Sequence, residues 1–153
     1  MRSVSNTPSH KIVMKGRKIV SGQGSGEAIV SKHPISFFGG VDPKTGIVID
    51  YDHELRDQSI KGKVFVFPRG KGSTVGSYVI YALRKYGAAP TAILNLETEP
   101  IIIGGCVLAS IPLVDRLDKD PTEVIQTGDS VTVNGDTGSV VVTKHSRRAG
   151  SVR

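Results

Sequence analysis

The stretch RGKGSTVGS, residues 69–77, combines glycines, two cations and three hydroxyls directly after KVFVFP, a run typical of a buried strand. Ser73 and Thr74 fall at the N-terminus of a predicted helix, where free N–H groups and the helix dipole favour negative charge by about 0.3–1 kcal/mol at exposed sites. Three interpretations fit these residues: a phosphate cradle, a helix cap with nothing bound, and a hydroxyl held where it moves a proton. The stretch alone leaves the choice open.

Two segments resemble nucleotide-binding motifs but lack the required spacing of glycines. In GKGST, Gly72 separates Lys71 from the Ser-Thr pair, and no upstream glycine has the spacing of a P-loop, which argues against ATP hydrolysis. In GQGSGE, residues 22–27, the third glycine comes one residue too early for a dinucleotide fingerprint. We interpret GQGSGE as a hairpin turn.

The metal-binding residue types are sparse. Cys106 is alone, and the four histidines lack metal-ligand spacing; they are His10, His33, His53 and His145. We therefore expect this chain to bind no metal or cofactor, and Cys106 to be a small buried residue.

The net charge of +6 comes from the ends of the chain. All 14 acidic residues lie between residues 19 and 143, whereas nine of the 20 Lys and Arg lie outside that range. The central part is therefore mildly acidic, which argues against a nucleic-acid partner. No apolar run is long enough to span a membrane, and neither a signal peptide nor a possible internal disulfide is present, so we expect a cytoplasmic protein.

The pattern along the chain predicts one mixed α/β domain at residues 11–143, with a flexible segment at 1–10 and a basic tail at 144–153. Residues 63–86 form a strand–loop–helix unit: KVFVF is a strand covered on both faces, and a helical stripe of apolar residues ends at Gly87. That stripe consists of Val75, Val79, Ala82, Leu83 and Tyr86. The strand TAILNL should then lie parallel to the first.

Weaker signals complete the expected topology. Two short strands surround the glycine-rich segment near the N-terminus, the turn DPKTG precedes a strand at IVID, and a short helix or turn lies at 105–110 before a strand at IPLV. SVTVNGDTGSVVVT predicts a C-terminal hairpin.

Several segments together resemble one known family, the small subunit of aconitase X, which is the free-standing swivel domain of the aconitase superfamily. The resemblance covers residues 17–143, and FGGVDPKTG and FPRGKGSTVGS are its most specific parts. It implies a swivelling β/β/α fold and a heterodimer with a large subunit that carries an iron–sulfur cluster. Among family activities, the second motif is most similar to that of archaeal members dehydrating (R)-5-phosphomevalonate to trans-anhydromevalonate 5-phosphate, in a mevalonate route to isoprenoids.

The resemblance also assigns roles to residues. The family's proton-accepting serine matches Ser73, while in aconitases proper a second serine and an arginine follow it, where this chain has Thr74 and Val75. An anionic substrate must therefore be held differently. The candidate substrate-binding residues are Arg69, Lys71, Gly72, Thr74, Gly39 and Gly40. Of the two aromatic residues before Gly39, we expect one to pack in the core and one to lie at the subunit interface.

Two alternatives stay open at this point. One is the small subunit of a two-subunit cis-3-hydroxy-L-proline dehydratase, which belongs to the same superfamily. A subunit without catalytic residues, which only binds an anion or stabilises the complex, would not depend on Ser73.

Overall fold

The computed structural model describes residues 9–145, which form eight strands and three helices. In chain order they are β1 (Ser9–Lys15), β2 (Arg17–Val20), β3 (Gln23–Val30), β4 (Val64–Val66), α1 (Gly76–Lys85), β5 (Ala92–Leu94), α2 (Pro100–Ala109), β6 (Leu113–Asp115), α3 (Pro121–Val124), β7 (Ser130–Asn134) and β8 (Ser139–His145). No helix within this range is long and apolar enough to cross a membrane.

All eight strands belong to one mixed sheet in the order β1-β8-β7-β3-β4-β5-β6-β2. The four strands from β3 to β6 run parallel to one another, and the others pair antiparallel with their neighbours. The first and last strands of this order, β1 and β2, are separated in sequence only by Gly16. The sheet therefore curls, so that one short chain segment pairs with both of its ends.

The curled sheet separates two apolar cores. Phe65 packs with the helices, whereas Val64 and Val66 point into the other core, enclosed by the antiparallel strands. Every residue of β4 is thus fully buried, which explains its unbroken apolar run. The strand predicted at 63–67, covered on both faces, is confirmed.

The strand–loop–helix unit is confirmed, and β5 is parallel to β4 as predicted. Gly87 ends the α1 region in the left-handed conformation, with a φ of +73°. The predicted apolar stripe is wrong in part, because the buried residues of α1 are Gly76, Ile80 and Leu83, while Val75 and Tyr86 are exposed. The helix turns its glycine inward because α2 packs closely against it.

Three further predictions need correction. Residues 23–27 of GQGSGE belong to β3 and form no hairpin turn. A side chain at Gly24 would collide with the carbonyl of Thr91. Ile47 and Val48 make isolated bridges and no regular strand. The helix expected at 105–110 begins at Pro100, because Glu99 caps it and proline suits a first helical position.

The strand expected at IPLV and the C-terminal hairpin are confirmed as β6 and as β7 with β8. β1 begins at Ser9 and β8 runs to His145, so the sheet extends slightly beyond 11–143. Lys144 donates to the buried carboxylate of Asp129 at 2.5 Å. Most of the predicted flexible segment and of the predicted basic tail, residues 1–8 and 146–153, lies outside the described residues.

Candidate functional site

The structure brings the two family motifs together at the carboxyl end of β4. Ile35 N–H donates to Arg69 O at 3.3 Å, and Lys71 N–H donates to Ile35 O at 3.0 Å. A Cβ built on Gly76 would lie 3.6 Å from the backbone nitrogen of Phe38. Residues 35–40 and 69–76 therefore form one pair of adjacent loops, which we call the site loops.

Glycines allow the site loops to touch. Gly72 has a φ of +88°, and a Cβ there would collide with the side chain of Ser36. A Cβ on Gly40 would collide with Ser36 O, and Gly40 N–H closes a tight turn by donating to Phe37 O at 3.3 Å. Gly39 is also left-handed, at +82°, but faces open space. Gly72 and Gly40 are thus explained by packing within the loops.

Ser73 lies in the turn immediately before α1 and is exposed. Its Oγ accepts a hydrogen bond from Val75 N–H at 3.1 Å, and its carbonyl accepts from Gly76 N–H at 2.9 Å. The helix N-cap is Val75, which has no side-chain cap. Within residues 9–145 the Ser73 hydroxyl donates to no acceptor, so its hydrogen remains available to a substrate or partner.

The backbone around Ser73 suits an anion. The N–H groups of Gly72, Ser73 and Thr74 have no hydrogen-bond partner within the described residues. The first turn of α1 carries no acidic side chain. Consecutive free N–H groups before a helix attract negative charge, because their dipoles add to that of the helix.

The two cations of this loop, Arg69 and Lys71, have different surroundings although both are exposed. Lys71 lines a concavity of about 320 Å³ together with the carboxylates of Asp50, Asp52 and Glu54. Partial burial would raise the pKa of Glu54, but hydrogen bonds with His33, Lys32 N–H and the Ser31 hydroxyl outweigh burial and hold that pKa below its usual range. Glu54, which this lowered pKa keeps charged, therefore competes with an anion for Lys71 in the same concavity.

The two aromatic residues of the first site loop behave differently. Phe37 is 1% exposed, and its ring lies 6.3 Å from that of Phe65. Phe38 is 53% exposed, and its backbone nitrogen lies 3.6 Å from a Cβ built on Gly76, the first residue of α1. The packed aromatic is confirmed, and the interface role of the exposed one stays a prediction.

Two residues near the site were missed from the sequence. Ser36 supports Gly72, as described above, and Glu99 caps α2 by accepting from Ile101 N–H at 2.9 Å and Ile102 N–H at 3.2 Å. A Cβ on Gly70 would lie 2.5 Å from Glu99 Oε1, so this carboxylate lies against the second site loop. An acidic residue directly before Pro100 was the signal that could have revealed the cap.

The residues that the structure describes do not fit an iron–sulfur cluster or another metal site. No group of three or more His, Cys, Asp or Glu side chains between residues 9 and 145 is arranged to hold a metal ion. Cys106 is fully buried, and burial raises the pKa of its thiol, which opposes the thiolate that a metal requires.

Comparison with known proteins defines the class. Residues 13–142 match the aconitase X swivel domain, and the chain belongs to this family. The crystal structure of Thermococcus kodakaraensis aconitase X in its holo-form superposes with a TM-score of 0.81 at 53% identity, over 86% of this chain and 98% of that one.

Within this family, the chain is similar to curated small subunits of one enzyme. The phosphomevalonate dehydratase small subunit of Methanosarcina acetivorans is 58% identical over 133 residues, which cover 87% of this chain and 92% of the relative. The protein of the same name from Thermococcus gammatolerans is 54% identical over 129 residues, which cover 84% and 96%. The aconitase X resemblance and the swivel-domain fold predicted from the sequence are confirmed.

Proposed function

We propose that this chain is the small subunit of a phosphomevalonate dehydratase and is active only with a large subunit. The observation that carries the proposal is 58% identity over nearly the full length to a small subunit of that name. The reaction removes water from (R)-5-phosphomevalonate and gives trans-anhydromevalonate 5-phosphate, within a mevalonate route to isoprenoids. A reducing cytoplasm stays our prediction for its compartment.

Ser73 is the proton acceptor in this proposal. It would take the proton from the carbon beside the substrate carboxylate, and the C–H electron pair would form the C=C bond. The C–O bond would break so that the tertiary hydroxyl leaves as hydroxide, which becomes water on taking up a proton. Serine is a weak base at neutral pH and needs activation. The free N–H groups of residues 72–74 and the start of α1 support activation, because positive potential there favours the deprotonated hydroxyl.

The same N–H groups would hold an anionic group of the substrate. Backbone donors at Gly72 and Thr74 are fixed by the loop, whereas Lys71 shares its concavity with three carboxylates. Arg69, which does not line that concavity, is therefore the better placed of the two cations for a second contact. Gly39 and Gly40 lie in the adjacent loop and contribute shape.

The remaining half of the site must come from the partner. Departure of the hydroxyl needs a Lewis acid, and on this proposal an iron–sulfur cluster carried by the large subunit supplies it. Phe38 on the first site loop and Val75 and Tyr78 at the start of α1 expose apolar surface. We place the large subunit over this surface, where it would also exclude water from the reacting atoms.

The test is an assay of the purified two-subunit complex against phosphomevalonate and cis-3-hydroxy-L-proline, with each subunit alone as a control. We expect turnover of phosphomevalonate by the complex only. Turnover of cis-3-hydroxy-L-proline instead would reject phosphomevalonate as the substrate. Full activity of either subunit alone would reject the proposal that both subunits form the active site.

A further inference from the structure

Asn95 is a buried polar residue directly after β5, and its side chain reaches the neighbouring strand. The residue is fully buried. Its Nδ2 group donates to Phe67 O at 3.0 Å and to Leu94 O at 3.2 Å. Two carbonyl acceptors on one side settle the orientation of the amide, because its oxygen would be repelled there.

The bond to Phe67 replaces a missing backbone bond. Phe67 N–H donates to Leu94 O at 3.1 Å, so a regular parallel ladder would next join Leu96 N–H to Phe67 O. Leu96 N–H instead donates to Pro68 O at 3.0 Å. The ladder thus shifts by one residue where the chain leaves β4 for the second site loop, and Asn95 takes the carbonyl released by that shift.

The amide oxygen of Asn95, unlike its nitrogen, forms no hydrogen bond that would stabilise the described part of the fold. Asn95 Oδ1 and Thr98 Oγ1 are buried side-chain atoms without a hydrogen-bond partner in the described part of the chain. Burying an unpaired oxygen lowers stability, because its hydration is lost without replacement. An apolar residue at position 95 would avoid that loss but would give up the bond to Phe67 O.

We propose that Asn95 is a positioning residue for Ser73. Its amide fixes the register shift at Phe67 and Pro68, and this shift sets the direction in which residues 69–74 leave the sheet. The unpaired oxygen is tolerated because the Nδ2 bonds hold the loop that carries Ser73. As a statement about catalysis this rests on the proposed function, whereas the effect on loop order does not.

The experiment compares Asn95→Leu with Thr98→Val, a matched control that removes the other unpaired oxygen of the same connection. Thr98→Val keeps the backbone bond from Thr98 N–H to Asp115 Oδ2. In the complex, we expect Asn95→Leu to lower kcat about 10- to 100-fold with KM for phosphomevalonate unchanged. Thr98→Val should leave both constants unchanged.

Hydrogen exchange of the full chain gives a second measurement that needs no activity. In Asn95→Leu the amide of Lys71, which is bonded to Ile35 O, should exchange about ten-fold faster, while the amides of β7 keep their rates. If Asn95→Leu does not assemble, Asn95→Ser, which is smaller and cannot overpack the site, carries both measurements.

The outcomes separate the two hypotheses. An inactive wild-type complex would reject the proposed function, and the exchange rates would still decide the role of Asn95. Normal kcat in Asn95→Leu, or an equal loss in Thr98→Val, would overturn the positioning role. So would faster exchange spread evenly over the domain, because that describes a purely structural residue.

Discussion

Two neighbouring units of this domain share one architecture but differ at the same point. In the first, β4 leads through residues 67–75 into α1; in the second, β5 leads through residues 95–99 into α2. Both strands are parallel, and both helices begin at the carboxyl edge of the sheet. The second helix has its first N–H groups bonded by Glu99. In the loop before the first helix, the N–H groups of residues 72–74 have no partner among residues 9–145.

The difference shows what turns a helix N-terminus into a binding site. The potential of the peptide dipoles is the same in both units, but in α2 a carboxylate of the chain already occupies it. In α1 the N-cap Val75 has no side-chain acceptor. Ser73, two residues earlier, accepts from Val75 N–H, and the N–H groups of residues 72–74 have no partner in the described part of the chain. Sites of this kind depend on an acceptor being absent as much as on donors being present.

The largest expected effect comes from removing the hydroxyl of the first unit. Ser73→Ala should lower kcat of the complex about 10²- to 10⁴-fold, because the proton acceptor is lost, with assembly intact. Steady-state kinetics and gel filtration of the complex check this. Ser59→Ala is the matched control, because Ser59 Oγ also accepts from the N–H two residues later, at 3.1 Å. Equal activity of both variants would reject Ser73 as the proton acceptor and would mean that it only stabilises the turn.

Gly72→Ala should come next, because it displaces Ser73 without removing it. A left-handed alanine costs about 1–2 kcal/mol, and its Cβ would also push against Ser36. We expect a lower midpoint of thermal unfolding and more than ~10-fold lower kcat. Gly62→Ala controls for strain alone, since Gly62 has a φ of +70° and open space around its Cβ position. It should lose stability but keep activity.

Making the second unit resemble the first should have a smaller effect. Glu99→Ala uncaps α2 and should cost about 1 kcal/mol of unfolding free energy, measured by urea denaturation. Because Glu99 also lies against Gly70, we expect a several-fold loss of kcat. Asp120→Ala removes the comparable cap of α3, where Thr122 N–H donates to Asp120 Oδ1 at 2.8 Å. That control should lower stability while leaving kcat unchanged.

The smallest effect concerns the chemically reactive side chain of the second unit. Burial raises the pKa of the Cys106 thiol, so iodoacetamide should modify the native chain at least ~100-fold more slowly than the urea-unfolded chain. Ser130→Cys, which adds a thiol at an exposed position of β7, should react rapidly in the folded protein. Rapid modification of native Cys106 would mean that α2 opens away from the sheet.

The sequence predicted the first unit well because its signals are local. The apolar run before Pro68, the hydroxyls before α1 and Gly87 after it each follow from short-range stereochemistry. The family motifs pointed to Ser73 for a different reason, because FPRGKGSTVGS is specific in wording. That role is still a prediction, since the geometry around Ser73 is compatible with it but measures no reaction.

The failures arose where distant segments decide the conformation. GQGSGE looked like a turn because glycines are common in turns, yet Gly24 is required by a carbonyl far away in sequence, that of Thr91. The sequence pattern places Asn95 only at the end of a strand, and gives no sign that its side-chain amide donates to Phe67 O. Patterns in a single sequence contain no information on such contacts. Neither the residues that hold the site loops in place nor the true start of β3 could therefore be predicted from them.

The segment from Ser9 to Val20 has a consequence for the integrity of the molecule. Its first part covers β8 and its second part covers β6, on either side of Gly16. Proteolytic trimming up to residue 20 would bare two strand edges in a single event, and bare edges recruit other chains into intermolecular sheets. Tag placement and protease exposure at this end therefore decide whether preparations stay dispersed.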